Sequence, residues 1–291
     1  MLKISLLSLL LLLTFNINLS AQETIPFKLT KHHNIIVKAL INDKDSINLM
    51  FQIAMEEASL APDRITKVES VKFDTTEYPE GLSRANSIKV ANTIVDSLWI
   101  WDNEYTGYEA EGKIGTLLFN GKIFKIDYDQ SQFVIYNDLP NVKDYFRIPL
   151  KRSQGGQLFV QANSFISGNP LLSEFLLQSG FSGAILYPND FSDQYQLADK
   201  LPVLEKKNMK NSAGKTLTTI QCQLPEFRIS QFSLKNIPVG LFTGEIKNQK
   251  VGYMGADILH RFNWIIDIKA GFAYIQKSKY FNEVYYFNNR S

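Results

Sequence analysis

Few side chains in this 291-residue chain stand in groupings that do chemistry near neutral pH. Histidine occurs three times, as His32-His33 and His260, with no HxxxH spacing and no cysteine beside it. Nothing in that pattern resembles a zinc ligand set, so the expectation is no metal and no cofactor, with packing or exposed histidines instead. The single cysteine, Cys222, lies in the alternating stretch TTIQCQL and reads as a small core residue; with no second cysteine, an intramolecular disulfide is excluded. No serine sits in a G-x-S-x-G setting. The glycines of SQGGQ (153–157) open a hairpin rather than cradle phosphate, because no helix follows them. Trp99 and Trp101 alternate along a strand and read as sheet packing.

What remains is the stretch FLLQSGFSGAILYP, residues 175–188. An apolar run enters a turn at Gly180 and a second apolar run leaves it, a shape that presents one polar side chain at the bend. That side chain is Gln178, a primary amide that neither ionises nor attacks.

The stretch has a counterpart. LMFQIA (49–54) lies over FLLQSG (175–180) and places Gln52 on Gln178. Further along, KIGTLLFNGKIFKIDYDQSQFVIY (113–136) aligns without a gap on YMGADILHRFNWIIDIKAGFAYIQ (253–276), so that Gly115 falls on Gly255 and Asp127 on Asp267. Ile25-Pro26 and Ile148-Pro149 lead into the two copies. A unit of roughly 120 residues is doubled.

The elements that position these turns are mainly strands. Residues 34–41, 47–51, 87–101, 122–136, 157–162 and 272–276 are β-branched or aromatic and are broken by Asn, Asp and Gly turns. Helical periodicity is confined to short pieces: residues 171–175, residues 193–204, and a turn or two after Gly115 and after Gly255. Hydrophobic residues make up 45% of the chain and charged residues 21%, as in a globular protein with a real core. Basic and acidic residues number 31 and 29 without a basic patch, which argues against nucleic acid. The first 21 residues carry Lys3, a leucine-rich run and a small-residue end at Ala21, the layout of a cleaved secretory signal peptide. Export without disulfides fits a bacterial periplasm or secretion from a bacterium, with no stable membrane span once the leader is removed.

In its doubled β unit, with an apolar-apolar-x-small turn followed by an apolar-Gly segment in each half, the chain resembles the bilobal aspartic peptidases, both the bacterial retropepsin-like and the pepsin-like kinds. Gln178-Ser179-Gly180-Phe181-Ser182-Gly183-Ala184 is similar to that family's Asp-Ser-Gly-x-Ser-Gly-Ala with the first residue changed, and the segments around Gly115 and Gly255 are similar to those that close its lobes. The resemblance implies a mainly β fold of two barrel-like lobes with a cleft between them, residues 22–143 and 144–291. It also implies a monomer, the duplication standing in for a dimer.

The resemblance places the family's two catalytic aspartates at Gln52 and Gln178, while Ile53 and Ala54 replace the first-lobe Thr and Gly. Peptide hydrolysis in that family needs two close carboxyls sharing a proton, one as base and one as acid. Amides do neither, so no intact catalytic group is expected. Glu56 and Glu57 stand too far along the chain to substitute, at ~3.3 Å per strand residue, and Asp127 and Asp267 read as turn residues. The implied ligand-binding positions are Ile53, Ala54, Ser179, Gly180, Gly115 and Gly255, and the implied partner is an extended peptide or protein segment. The implied flap is the turn-rich segment 74–87 with Tyr78 and Gly81. Two alternatives stand beside this reading: an active aspartic endopeptidase with a shifted dyad, and a structural protein whose cleft is filled by its own side chains.

Overall fold

The computed structural model describes residues 23–102, 105–107, 109–210, 216–244 and 248–289; the expected signal peptide, 1–21, lies outside the described residues. The first half contributes β1 (Glu23–Pro26), β2 (Lys28–Leu29), β3 (Ile35–Ile41), β4 (Asp45–Phe51), β5 (Ala58–Leu60), β6 (Leu82–Val90), β7 (Thr93–Trp101), β8 (Gly112–Ile114), β9 (Ile123–Asp127) and β10 (Gln132–Tyr136). The second contributes β11 (Phe146–Pro149), β12 (Lys151–Arg152), β13 (Leu158–Ile166), β14 (Asn169–Gln178), β15 (Ile185–Leu186), β16 (Val203–Lys210), β17 (Thr216–Ile229), β18 (Phe232–Gly244), β19 (Tyr253–Gly255), β20 (Phe262–Asp267) and β21 (Phe272–Lys277).

The two halves repeat one topology. The first-lobe sheet runs β2-β3-β4-β8-β5-β7-β6, and the second-lobe sheet runs β12-β13-β14-β19-β15-β18-β17 with β16 added at its edge. Each order converts into the other when β3 is read as β13, β4 as β14, β8 as β19 and so on, and in both lobes an extra pairing (β3 with β6, β13 with β17) folds the sheet back on itself. A third sheet, β1-β10-β9-β20-β21-β11, joins the halves. At its centre Lys125 pairs with Ile265, and Ile126 and Phe124 pair with Trp264 and Ile266. Lys125 and Ile265 are equivalent in the sequence repeat, so a pseudo-twofold axis passes between them.

Side-chain chemistry explains these elements. In β3, IIVKALI, every other position from Ile35 is buried among the lobe's apolar residues, as alternation demands of a sheet with one solvated face. All six residues of β20 are buried, because this central strand of the joining sheet is covered on both faces. One continuous apolar core spans both lobes. Beneath the Gln52 turn, Phe51, Phe119, Phe124 and Phe133 form an aromatic cluster in which Phe119 and Phe124 stack at 3.9 Å. Burying each such ring contributes about 1.5–3 kcal/mol, which anchors the strand that carries the turn.

Several local expectations are corrected. Residues 87–101 are not one strand but the arms of the β6–β7 hairpin, turned at Ala91 with φ +53. Residues 122–136 likewise form the β9–β10 hairpin. Residues 171–175 are strand, within β14, because their hydrogen bonds go to β13 across a long antiparallel pairing. Over 193–204 the helix begins earlier and ends sooner, as α1 (Asn189–Tyr195) and α2 (Leu197–Lys200), before β16 begins. After Gly115 and Gly255 come a short 3-10 turn (Thr116–Phe119) and α3 (Ala256–Leu259), as the sequence indicates.

Candidate functional site

Each glutamine ends a strand that is held in the middle of its sheet. In the first lobe β4 runs parallel to β8, with Met50 beside Lys113 and Phe51 beside Ile114. In the second, β14 runs parallel to β19, with Leu176 beside Tyr253 and Leu177 beside Met254. The chain then bends in the same way twice: Met55 N–H donates to the Gln52 carbonyl (3.2 Å) and Phe181 N–H to the Gln178 carbonyl (3.1 Å). The apolar-Gly segment crosses under each bend. Thr116 N–H donates to the Met55 carbonyl (3.0 Å) and Ala256 N–H to the Phe181 carbonyl (2.8 Å). Gln52 and Gln178 therefore occupy equivalent register positions.

The two bends meet at the lobe junction. Ile53 N–H donates to the Ser179 hydroxyl (3.0 Å), which in turn donates to the Phe51 carbonyl (2.8 Å). Ile53, buried and without a hydroxyl, cannot return this pair of bonds. Asn34, in the loop between β2 and β3, supplies a second tie across the lobes. Its amide donates to the Ser179 carbonyl (2.7 Å), and its oxygen accepts from the Ser182 hydroxyl (3.1 Å). Gly180 sits where both glutamine side chains converge. A β-carbon there would meet the Gln52 amide oxygen closer than 3.0 Å and the Gln178 amide oxygen at 3.4 Å.

The tie predicts a measurable cost. Ser179→Ala leaves a buried N–H and a buried carbonyl without their partner, at about 1–3 kcal/mol for each orphaned group. Chemical denaturation is expected to show a loss of about 2–4 kcal/mol with an unchanged denaturant slope. A loss below about 0.5 kcal/mol would show that the two bends do not depend on this hydroxyl.

Above the bends lies a cavity of about 350 Å³ lined by Met50, Gln52, Lys113, Gln178, Gly180 and Tyr253, among others. Tyr105, Thr106 and Gly107 also border it. Cavities of about 510 and 330 Å³ share Gly180 with it. The amide oxygen of Gln178 is buried and has no hydrogen-bond partner.

The expected flap residues pack against the ends of β6 and β7. Tyr78 packs edge-on against Trp101 at 5.4 Å with the Arg84 guanidinium over its ring, and Gly81 accepts from Asp102 N–H. Neither residue borders the cavity over the glutamines, because the Asp74–Leu82 bridge folds this segment onto the ends of β6 and β7. Tyr105, Thr106 and Gly107 stand beside the cleft instead. Ile53 and Ala54 are buried below the bend, and Gly115 and Gly255 lie under the crossings, so these four support the site from beneath.

The carboxylates that the sequence offers as substitutes are committed. Glu56 pairs with Arg152 of the second lobe. Glu57 accepts from Trp99 N–H (2.9 Å), and burial raises its carboxyl above the usual range. Asp127 and Asp267 cap equivalent turns, accepting from Gln130 N–H (3.1 Å) and Ala270 N–H (2.9 Å). Cys222 is fully buried, and burial pushes its thiol up to about 11.

The histidines, which the sequence presents as unrelated, come together. His33 and His260 stack with ring centroids 3.8 Å apart. Burial, with His260 beside it, lowers His33 to about 4; burial, with Arg261 beside it, lowers His260 to about 3. No local signal links positions 33 and 260, which meet only because the lobes do.

No protein-family model and no curated sequence matches this chain. Solved structures do. The aspartic proteinase from Irpex lacteus superposes with a TM-score of 0.58 over 91% of this chain and 100% of its own, at 9% identity. The basic 7S globulin from soybean superposes with a TM-score of 0.55 over 91% and 97%, also at 9% identity. With two lobes of one topology, a shared central sheet and paired bends at the junction, the chain has the pepsin-like fold of the aspartic proteinases.

Proposed function

We propose that this is an exported pepsin-like protein without peptidase chemistry, which holds an extended peptide or protein segment in the cleft between its lobes. The observation that carries the reading is the cavity over Gln52 and Gln178 at the lobe junction, beside which the Gln178 amide oxygen is buried without a partner. A buried acceptor without a donor costs about 1–3 kcal/mol, and a turn of the Gln178 amide toward the cavity lets a backbone N–H of a strand-like ligand supply that donor. Gln52 and Gln178 then act as uncharged hydrogen-bonding groups where a peptidase carries its acids. Phe181 and Tyr253, edge to face at 6.0 Å, give the ligand an apolar wall. The leader-like first 21 residues support delivery to the periplasm or the medium.

The test is fluorescence anisotropy with a library of labelled, unstructured decapeptides. Selected peptides are expected to saturate the protein and to protect amides around residues 105–107 and 178–181 from hydrogen exchange. Gln178→Leu, which removes the acceptor at similar volume, is expected to weaken binding about 2–10-fold. A library that yields no binder, or binders indifferent to both Gln178→Leu and Phe181→Ala, would reject the cleft as the binding site.

A further inference from the structure

His33, Asp257, His260 and Glu283 meet where the first-lobe loop between β2 and β3, α3 with the residue after it, and the C-terminal segment converge. The atoms with lone pairs face one another. His33 Nδ1 lies 3.7 Å from Asp257 Oδ1 and His33 Nε2 lies 3.7 Å from Glu283 Oε2. His260 Nε2 lies 2.9 Å from the same Glu283 oxygen. Ligand atoms of His33, Asp257 and His260 all fall within 4.8 Å of one another.

Hydrogen counting exposes what this grouping lacks. His260 Nδ1 is 2.9 Å from the Ala256 carbonyl, which only accepts, so Nδ1 carries the ring proton. In the neutral ring Nε2 then presents a lone pair to a carboxylate oxygen, a repulsive meeting unless something positive joins them. His33 Nδ1 is buried without a hydrogen-bond partner, opposite a carboxylate oxygen just beyond bonding range. Arg261 does not fill the gap on its own. Its guanidinium reaches Asp257 Oδ1 at 3.2 Å, but it is also held by the carbonyls of Asp257 (2.7 Å), Phe281 (3.1 Å) and Glu283 (2.7 Å).

We propose that His33, Asp257 and His260, with Glu283 beside them as a fourth ligand, form a binding site for a divalent transition-metal ion of the zinc type, which ties the first lobe to the second and to the C-terminal segment. Two imidazoles and two carboxylates are a donor set that suits such an ion. Ligands at about 2.1 Å from one ion and about 90–120° apart stand roughly 3.0–3.6 Å from each other; one ion takes only one nitrogen of His33, and with Nδ1 as that ligand its 3.7 Å from Asp257 and the 2.9 Å between His260 Nε2 and Glu283 lie next to that range. The carbonyl that holds the far nitrogen of His260 is the usual support for a metal-bound imidazole, because it sets the tautomer and aims the free lone pair. The rings now stack 11° from parallel, so binding turns one of them about its Cβ–Cγ bond to bring both lone pairs onto one ion. Asp257 also lines the 330 Å³ cavity beside Gly180, which gives the ion a path in.

The experiment uses the full mature chain, stripped with a chelator and titrated with Co²⁺. One equivalent is expected to produce visible d–d absorption of a low-symmetry site, and Zn²⁺ is expected to displace it and raise the melting temperature. His33→Ala and Glu283→Gln alter partly exposed side chains and keep the fold, as checked by circular dichroism. Each is expected to weaken Co²⁺ binding by about tenfold or more, while His32→Ala leaves it unchanged. Absence of a visible band and of a Zn²⁺-dependent thermal shift would overturn the proposal. Equal Co²⁺ affinity in His33→Ala and the parent protein would overturn it too, since the ion would then sit elsewhere.

Discussion

The purified protein is expected to leave peptides uncut between about pH 3 and pH 8, the span over which a carboxylate dyad passes through its singly protonated form. General acid and general base are each worth about 10²–10⁴-fold, and groups acting as a unit fail together. With Gln52 and Gln178 at the two bends, neither role has an occupant. Gln is also one methylene longer than Asp, and both amide oxygens converge on Gly180. Gln52→Asp with Gln178→Asp restores two ionisable groups, yet Ile53 still offers no hydroxyl to orient the first of them, so weak activity at best is expected. In that variant one carboxyl must stay protonated beside the other, which raises its folded-state pKa. The variant is therefore expected to be more stable near pH 4 than near pH 7, since that contribution is lost as pH rises through the raised value. The measurement is cleavage of a quenched-fluorophore peptide library across the pH range. Robust hydrolysis by the unmodified protein, lost on changing some other Asp or Glu, would refute the reading of an inactive cleft.

Gly115→Ala and Gly255→Ala are expected to carry the largest stability penalties in the chain. At Gly115 an added β-carbon meets the backbone carbonyls of Met55 and Glu56, and at Gly255 those of Gly183 and Phe181, all closer than 3.0 Å. These atoms belong to the bends above, which hydrogen-bond to the same two crossing segments: Gly115 N–H donates to Glu57 (2.7 Å) and Gly255 N–H to Ala184 (2.8 Å). No flexible side chain is available to move aside. Overpacking against backbone costs about 1–3 kcal/mol or more, and a loss of about 3 kcal/mol lowers the melting temperature by roughly 6–12 °C in a domain of this size. Gly121→Ala is the control. It has φ +68 and nothing within 4 Å, so only conformational strain of about 1 kcal/mol is expected. Equal melting temperatures for Gly255→Ala and Gly121→Ala would show that the crossing is looser than described.

The repeat, the β class and the special status of Gln52, Gln178, Gly115 and Gly255 are all legible in the residues alone. Each is written in short-range terms: alternation of apolar side chains, a glycine at a fixed distance from a strand, one pattern occurring twice. The pairing of Lys125 with Ile265 follows the same logic, since a duplicated strand next to its own copy meets itself at equivalent positions. Where local pattern and long-range pairing disagreed, pairing prevailed. Residues 171–175 have the composition of a helical turn but lie in a strand because β13 offers them a full ladder.

Tertiary structure alone decided which loops reach the cleft and which polar groups meet there. The 74–87 segment has every turn signal of a flap, yet its aromatic side chain finds Trp101 and Arg84, and the segment beside Thr106 borders the glutamines instead. Asn34 carries no motif, but it ties the second bend from the opposite lobe. His33, Asp257, His260 and Glu283 come from three separated stretches whose nearness depends on the register of every sheet between them. Local sequence encodes which face of a strand is buried. It does not encode which side chain from another lobe will stand across from it, because that distance is the sum of many packing contacts rather than the property of any one residue.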